Sequence, residues 1–259
     1  MQEQSYPNLE IIIVDDGSLD KTREIIKKFK KVKLIEGEHK GPGFSRNLGA
    51  EFAKGEILVF VDADMAFEKD YVKKLIAPII DKECIGTENS RQIASNEENI
   101  WSRCWGLYSS SEKDKNKEPL GWIFRAILKK EFIKMGGFNP KYGYADDLTF
   151  FYKYGIRSKR VEAICYHENP ASLKEVYKQS RWIGASVKIP GIDTPIKYLI
   201  PLALAIASPL AIIYFALNKA MKKNSWSIFF PWMIIFMTWR YFGTFSGIIR
   251  RVFLNKNFR

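Results

Sequence analysis

Short apolar runs alternate with amphipathic segments in the first third of the chain. Two of the runs, Ile11–Val14 and Ile57–Val61, are rich in β-branched residues and stop at turn residues, which predicts buried strands. The elements predicted in this region are strands at 11–14, 32–35 and 57–61 and helices at 20–29, 44–53 and 69–80. Strands that alternate with helices in this way are typical of a parallel sheet with helices on its faces.

The pattern is less regular between residues 80 and 190. The elements predicted there are strands at 122–125 and 163–166 and helices at 129–135, 146–154 and 171–187. Ser109–Pro119 is charged and poor in apolar residues, which favours a solvated surface loop over the alternative, a flap above a binding site. The first 189 residues therefore predict an α/β domain.

Beyond residue 190, long apolar stretches replace the amphipathic ones. Residues 198–217 carry no charge over roughly 20 positions, the length needed to cross a bilayer, so we expect a transmembrane helix there. A second stretch, 226–249, is interrupted by Arg240 and is either a second span or a helix that lies along the membrane interface. The predicted division is thus a domain at 1–189 and a membrane segment at 190–259.

The charge distribution favours a membrane over a nucleic acid as the partner. Of the net charge of +12, residues 190–259 contribute +8, through nine Lys or Arg and a single acid, Asp193. Basic residues that flank apolar segments are typical of a membrane surface, and we expect the domain on the cytoplasmic side of the cell membrane. The cysteines, Cys84, Cys104 and Cys165, form neither a zinc motif nor a disulfide framework, which fits a reducing compartment.

Two acidic clusters follow the apolar runs of the first third. Asp15 and Asp16 follow the first run, and Asp62 and Asp64 follow the run that ends at Val61. Ligands of open α/β sheets bind at the carboxyl ends of the strands, and paired carboxylates suit Mg²⁺ or Mn²⁺ shared with substrate phosphates. Asp16 before Gly17 also fits an ordinary turn, and Asp64 also fits a helix cap.

Several segments of the chain occur in the order and spacing of a known family. They are YPNLEIIIVDDGSLDKT, GPGFSRNLGAEFAKGEILVFVDADMAF, LKKEFIKMGGFNP, YADDLTF and QSRW. Together they resemble the family 2 glycosyltransferases with the GT-A nucleotide-sugar fold. The resemblance implies a mostly parallel sheet flanked by helices, followed here by C-terminal transmembrane helices. Family members usually begin with one more strand and helix, so the resemblance also implies an N-terminally incomplete domain.

The resemblance also implies roles for the acids. Asp15 and Asp16 match the nucleotide-contacting acids, and Asp62 and Asp64 match the family's DxD metal motif. The pair Asp146–Asp147 matches an acidic motif whose second member is the expected general base, and the repulsion between the two adjacent carboxylates can raise one pKa. Without the resemblance, this pair is typical of helix N-terminal acids.

Other matches concern donor and metal binding. Arg46 belongs to an RN pair and either contacts the donor phosphates or lies on a helix surface. Arg181 and Trp182 match the end of a QxxRW motif, although Lys178 replaces its glutamine, which argues against processive polymerisation. They either bind the donor or pack an amphipathic helix. His167 follows a predicted strand and is either a metal ligand or a structural residue.

We therefore expect an inverting hexosyltransferase of polysaccharide or glycolipid biosynthesis. It uses Mg²⁺ or Mn²⁺, a UDP- or GDP-linked sugar donor and a lipid-linked or glycan acceptor at the membrane. One alternative is another nucleotide-dependent transferase, which would release pyrophosphate. A second is a catalytically decayed membrane subunit that serves as a partner protein.

Overall fold

The computed structural model describes residues 1–109, 120–186, 210–218, 220–221 and 226–254. The chain divides into two compact units. The first contains Met1–Ile93 and Asp114–His167, and the second contains Ala94–Lys113 and Glu168–Arg259.

The first unit begins with a pair of parallel strands. β1 (Ile11–Asp15) pairs with β2 (Val32–Glu36), and α1 (Thr22–Ile26) lies between them in the chain. α2 (Pro42–Phe52) follows β2, with a proline in its first turn, where a missing N–H costs nothing. The first apolar run thus forms the predicted strand, and its end carries Asp15.

A second sheet of six strands completes this unit. Its strands are β3 (Ile57–Val59), β4 (Met65–Phe67), β5 (Gly86–Ala94), β6 (Leu120–Gly121), β7 (Ala126–Leu128) and β8 (Ser158–His167). The order is β3-β7-β5-β8-β4, with β6 beside β8. The pairs β3–β7, β5–β7, β4–β8 and β6–β8 are antiparallel.

The prediction of a mostly parallel sheet is therefore wrong, because the architecture is mixed. The physical reason is that β7 and β8 come from the later, less regular part of the chain. They lie between and beside the strands of the first third and run against them. Strand direction depends on these long-range pairings, which the local pattern of residues does not contain.

Both faces of the six-stranded sheet are covered by apolar packing. Leu58 and Ile127 face a cluster rich in phenylalanine that includes Phe132 of α5 (Lys129–Lys134). The neighbouring residues of the same strands face the opposite cluster, built around α3 (Tyr71–Ile80). The alternation of neighbours between two clusters follows from the two-residue repeat of a strand.

Residues 140–154 differ from the predicted helix at 146–154. Pro140–Leu148 is a 3₁₀ segment, and α6 begins only at Thr149 and ends at Tyr154. Gly143 has φ of 60° and interrupts helical geometry inside the segment. Asp146 and Asp147 therefore lie before the α-helix rather than in its first turn.

The described part of the second unit is mostly helical. It contains α4 (Ile100–Ser109), α7 (Leu173–Ser186), α8 (residues 210–218) and α9 (Trp226–Leu254). α7 and α9 approach so closely that a Cβ on Gly184 or Gly247 would collide with the carbonyl of Thr244 or Arg181. Small residues spaced four apart, Gly243 and Gly247, permit this approach of two helix backbones.

No helix in the described part of the chain is both long and apolar enough to cross a membrane. The predicted span at 226–249 is therefore not confirmed, since Thr238 and Arg240 interrupt the apolar sequence of α9. Most of the predicted span at 198–217 lies outside the described residues.

Candidate active site

Arg46 brings together two acidic motifs that are far apart in sequence. It lies on α2, where its side chain is only 20% exposed. Its Nη2 donates to Oδ1 of Asp62 at 2.7 Å, and its Nη1 donates to Oδ1 of Asp146 at 2.7 Å. The planar guanidinium can bind two carboxylates at once because its N–H groups point in fixed directions. The predicted metal motif and the predicted catalytic motif therefore meet at one arginine.

A second arginine, Arg125, completes this cluster. Its Nη1 donates to Oδ2 of Asp62 at 3.1 Å, so each carboxylate oxygen of Asp62 has an arginine partner. Burial raises the pKa of Asp62, but the charges of Arg125 and Arg46 outweigh burial and bring the pKa below its ordinary value. Arg125 was not among the site residues predicted from the sequence. The available signal was an arginine between apolar residues directly before a strand.

Asp64 and His167 meet on neighbouring strands. β4 and β8 pair with Met65 opposite His167, which places the residue before β4 beside the end of β8. Nε2 of His167 lies 3.1 Å from Oδ2 of Asp64, and this hydrogen bond lowers the pKa of the carboxyl. A carboxylate and an imidazole are ligands that Mn²⁺ accepts.

The described residues include no group of three potential metal ligands. Asp64 and His167 nevertheless fit a divalent ion, because the side chain of Asp64 is 56% exposed and such ions often complete their shell with water and phosphate. Asp62 fits less directly, since both of its oxygens contact arginine. The pair of ligands supported by geometry is thus Asp64 and His167.

Asp146 and Asp147 lie at the end of the 3₁₀ segment in a poorly solvated environment. Burial raises the pKa of Asp146 to about 6 against the opposing charge of Arg46, and burial also raises the pKa of Asp147. Oδ2 of Asp146 is buried without a hydrogen-bond partner among the described residues. It lies against Gly43, where an added Cβ would stand 2.6 Å from it. A carboxyl group of raised pKa can exchange a proton near neutral pH, which is the property a general base requires.

Asp15 and Asp16 are engaged differently. Asp15 accepts from Nε of Arg23 at 2.5 Å and from the Ser18 N–H, while Asp16 accepts from the N–H groups of Lys40 and Gly41. Burial raises the pKa of Asp15, but the hydrogen bonds from Ser18 and Arg23 outweigh it and bring the pKa below its ordinary value. Both carboxylates fix loops at the ends of β1 and β2, and their contact with a nucleotide stays a prediction.

Arg181 and Trp182 lie on α7, in the second unit. The backbone of Arg181 forms part of the close contact with α9, and the Trp182 carbonyl accepts from Ser186 Oγ at 2.7 Å. These backbone contacts are compatible with the packing role, and donor binding by either residue stays a prediction.

Comparison with known proteins gives a consistent picture. The sequence profile of glycosyl transferase family 2 matches residues 1–135. EpsH of Bacillus subtilis strain 168 is 39% identical over 80 residues, which cover 29% of this chain and 23% of EpsH. Glycosyltransferase GlyA of Streptococcus pneumoniae serotype 4 is 39% identical over 82 residues, which cover 30% of this chain and 12% of GlyA. The chain thus matches less than a quarter of the length of each of these relatives.

Among solved structures, residues 1–349 of S. aureus TarS are similar over 99% of this chain and 86% of that chain, with a TM-score of 0.51 and 15% sequence identity. At this identity the likeness concerns the fold, a GT-A-like mixed sheet flanked by helices. The family profile covers more than half of the 259 residues, including Arg46, Arg125 and the Asp62–Asp64 motif. The chain therefore belongs to glycosyl transferase family 2.

Proposed function

We propose that this chain transfers a sugar from a nucleotide-sugar donor to an acceptor hydroxyl, with inversion at the anomeric carbon. The observation that carries the proposal is the bridge from Arg46 to Asp62 and Asp146. A metal motif and a candidate base motif are useful to such an enzyme only if they face the same substrate. Their link through one side chain supports this arrangement.

Donor binding is proposed to depend on Asp64 and His167, which would hold Mg²⁺ or Mn²⁺. When bound, the ion neutralises the diphosphate of the donor and so makes it a better leaving group. A crystal structure of TarS, at a TM-score of 0.50, is described as a complex with UDP-GlcNAc, which favours a UDP-linked donor over a GDP-linked one. Asp15, Asp16, Arg181 and Trp182 remain the proposed further donor contacts.

Asp147 is the proposed general base. It removes the proton of the acceptor hydroxyl while that oxygen forms a bond to the anomeric carbon. The bond between the anomeric carbon and the diphosphate oxygen breaks in the same step, and the nucleoside diphosphate leaves. The partly buried site of Asp147 raises its pKa, so that the carboxylate is a stronger base than an exposed aspartate.

The acceptor is proposed to be a lipid-linked sugar or a growing glycan at the cytoplasmic face of the cell membrane. The support comes from sequence, since an uncharged stretch and a strongly basic C-terminal segment follow the catalytic domain. Retention of the chain in the membrane pellet after carbonate extraction would agree with this location. Its release would contradict it.

A panel of UDP- and GDP-linked sugars, incubated with the full chain and Mn²⁺, tests the transfer activity. We expect one donor to release nucleoside diphosphate faster with wild type than with Asp147→Asn. Asp81→Asn serves as the matched control, because Asp81 is exposed at the end of α3. Release of pyrophosphate would instead indicate another nucleotide-dependent transferase. Failure to bind any donor in calorimetry would indicate a decayed partner subunit.

A further inference from the structure

α9 has two faces of different character. One face is buried in an apolar cluster that joins α4, α7, α8 and α9. The buried members on α9 are Phe229, Met233, Phe236 and Met237. Arg240 belongs to this packed side as well, because its guanidinium lies over the ring of Trp105 on α4, 4.7 Å from the centroid. The helix is therefore held along one side by its neighbours in the second unit.

The other face carries large apolar side chains that are exposed. Trp232, Ile235, Trp239 and Phe242 are 39–56% exposed, and we call them the α9 stripe. Their spacing of three, four and three residues places them on one side of the helix. The rings of Trp232 and Trp239 also contact Trp101 and Tyr177, but the four side chains stay about half exposed to water. Such a row is unfavourable in water and indicates a surface that another body covers.

The charge of the surrounding chain favours an anionic partner. The stretch 190–259 carries +8, and α9 itself contains Arg240, Arg250 and Arg251 but no acid. A second copy of the chain would bring the same positive charge to the contact, which opposes self-association through this face. A bilayer that contains anionic phospholipid offers both an apolar layer and a negative surface.

Helix α8 points to the same chemistry. Four of its large apolar residues are exposed, namely Leu210, Ile213, Tyr214 and Phe215. Tryptophan and tyrosine are favoured at the level of the lipid headgroups, because each combines an apolar ring with a polar N–H or O–H group. Aromatic side chains thus occur among the exposed residues of both helices, and α9 adds three arginines.

We propose that the α9 stripe docks into the interfacial layer of an anionic membrane, with α9 lying along the surface. The inference rests on the proposed function only for the expectation that the acceptor is found at a membrane. It assigns the contact to four named side chains on one face of one helix, and it does not require the apolar run at 198–217 to cross the bilayer.

A polarity-sensitive fluorophore on Phe242→Cys tests this contact directly. The background is Cys84→Ser, because Cys104 and Cys165 are buried and Cys84 is partly exposed. Addition of vesicles that contain about 30% anionic phospholipid should shift the emission to shorter wavelength. Nitroxide lipids labelled near the headgroup should quench the dye more than lipids labelled near the chain end. The same dye on Trp122→Cys, an exposed position of the first unit, should not respond.

Vesicle flotation of unlabelled protein gives the second measurement. Trp232→Ala/Trp239→Ala should weaken binding by about tenfold or more, since each ring loses its contact with lipid. Trp122→Ala is the matched control and should bind as wild type does. If 198–217 alone holds the chain on vesicles, flotation stays unchanged and the dye on Phe242→Cys does not shift, which overturns the proposal.

Two further outcomes also count against it. Deep quenching of the dye would indicate a spanning helix, and a shift in the absence of vesicles that grows with protein concentration would indicate a second copy of the chain. Donor hydrolysis in detergent, without vesicles, reports on the proposed transfer activity separately. A failed docking test with intact hydrolysis would therefore reject the docking surface alone.

Discussion

Two pairs of adjacent aspartates in this protein have nearly opposite environments. In the pair Asp15–Asp16, each carboxylate has its own partners, which are Arg23 and Ser18 for the first and the Lys40 and Gly41 N–H groups for the second. In the pair at 146–147, Asp146 shares Arg46 with Asp62 and keeps one buried oxygen without a hydrogen bond. The same dipeptide thus stabilises loops at 15–16, whereas at 146–147 it belongs to a cluster of charged side chains.

The direction of the pKa shifts follows from this difference. Hydrogen bonds lower the pKa of Asp15, whereas burial raises the pKa of Asp146 and of Asp147. A carboxylate that is fully paired is stable and chemically inert, while one that is buried and shares its cation can take up a proton. The role of two adjacent acids can therefore be assigned only when the structure around them is known.

The largest effect is expected at the proposed base. Asp147→Asn should lower kcat by about 10²–10⁴-fold, because the amide cannot accept the acceptor proton. Donor affinity should change little, since the donor is held elsewhere. Turnover and nucleotide-sugar affinity are measured on this variant and on Asp146→Asn. A larger loss with Asp146→Asn would show that Asp146, and not Asp147, is the base. Unchanged turnover in both variants would show that the pair has only a structural role.

The second test compares Arg46, which binds Asp146, with Arg23, which binds Asp15. Arg46→Lys should reduce the free energy of unfolding by about 3 kcal/mol, because one ammonium group cannot bridge Asp62 and Asp146 and leaves a buried carboxylate unpaired. Arg23→Lys should cost clearly less than Arg46→Lys, because lysine can still reach Asp15 and the Arg23 side chain is partly exposed. Urea denaturation measures both variants. Equal losses would contradict a special role for Arg46.

The third test uses pH. The pKa of Asp146 is about 6 in the folded chain and 3.8 ordinarily, so the folded protein holds this proton more tightly. Its contribution to stability is fully present below pH 3.8 and is lost as the pH rises to about 6, by at most about 3 kcal/mol. Relative to Asp146→Asn, wild type should therefore become less stable between pH 4 and pH 6.

Asp15 provides the opposite sign. Because its pKa is lowered in the folded chain, its contribution is present above its ordinary value of 3.8 and is lost as the pH falls further. Wild type compared with Asp15→Asn should thus change little between pH 4 and pH 6. Urea denaturation between pH 4 and pH 6 measures the free energy of unfolding of wild type and of both variants. If the difference from wild type changed with pH in the same way for Asp146→Asn and Asp15→Asn, the contrast between the two sites would be refuted.

The smallest effect is expected at the candidate metal ligand. Asp64→Asn should weaken Mn²⁺-dependent donor binding by about 10–100-fold, because an amide is a weaker ligand for a hard cation. Asp16→Asn should lower donor affinity without altering its dependence on Mn²⁺, since its carboxylate holds the loop at residues 40–41. Calorimetry with and without Mn²⁺ separates them. If Asp64→Asn bound the donor as tightly as wild type in the presence of Mn²⁺, the assignment of Asp64 to a metal-binding DxD motif would be wrong.

Elements with a strong local pattern were predictable from sequence. The helix predicted at 69–80 is found as Tyr71–Ile80, because most of its apolar residues repeat at helical spacing and are buried in one cluster against the sheet. The strand β5 was missed, since Gly86–Ala94 is mostly polar and owes its conformation to neighbours in the sheet. The antiparallel pairings were missed for the same reason.

Most residues of the candidate site could be predicted from the sequence, but the contacts between them could not. Asp62, Asp64 and His167 stand near strand ends, and the sequence locates strand ends well. The bridge made by Arg46 joins positions 100 residues apart, and no local pattern contains such a distance. Arg125 was overlooked because its role depends on its contact with Asp62, and the sequence around Arg125 does not reveal that contact.

The contacts of α2 with the segment at 136–148 have a consequence for motion. Gly43, Arg46 and Asn47 lie on one face of this helix, and they touch Asp146 and both backbone polar groups of Phe138. Neither the helix nor the segment can move away without breaking buried polar contacts on the other. We therefore expect them to open as one cooperative unit, in which the amide protons of Phe138 and of α2 become accessible to solvent exchange together.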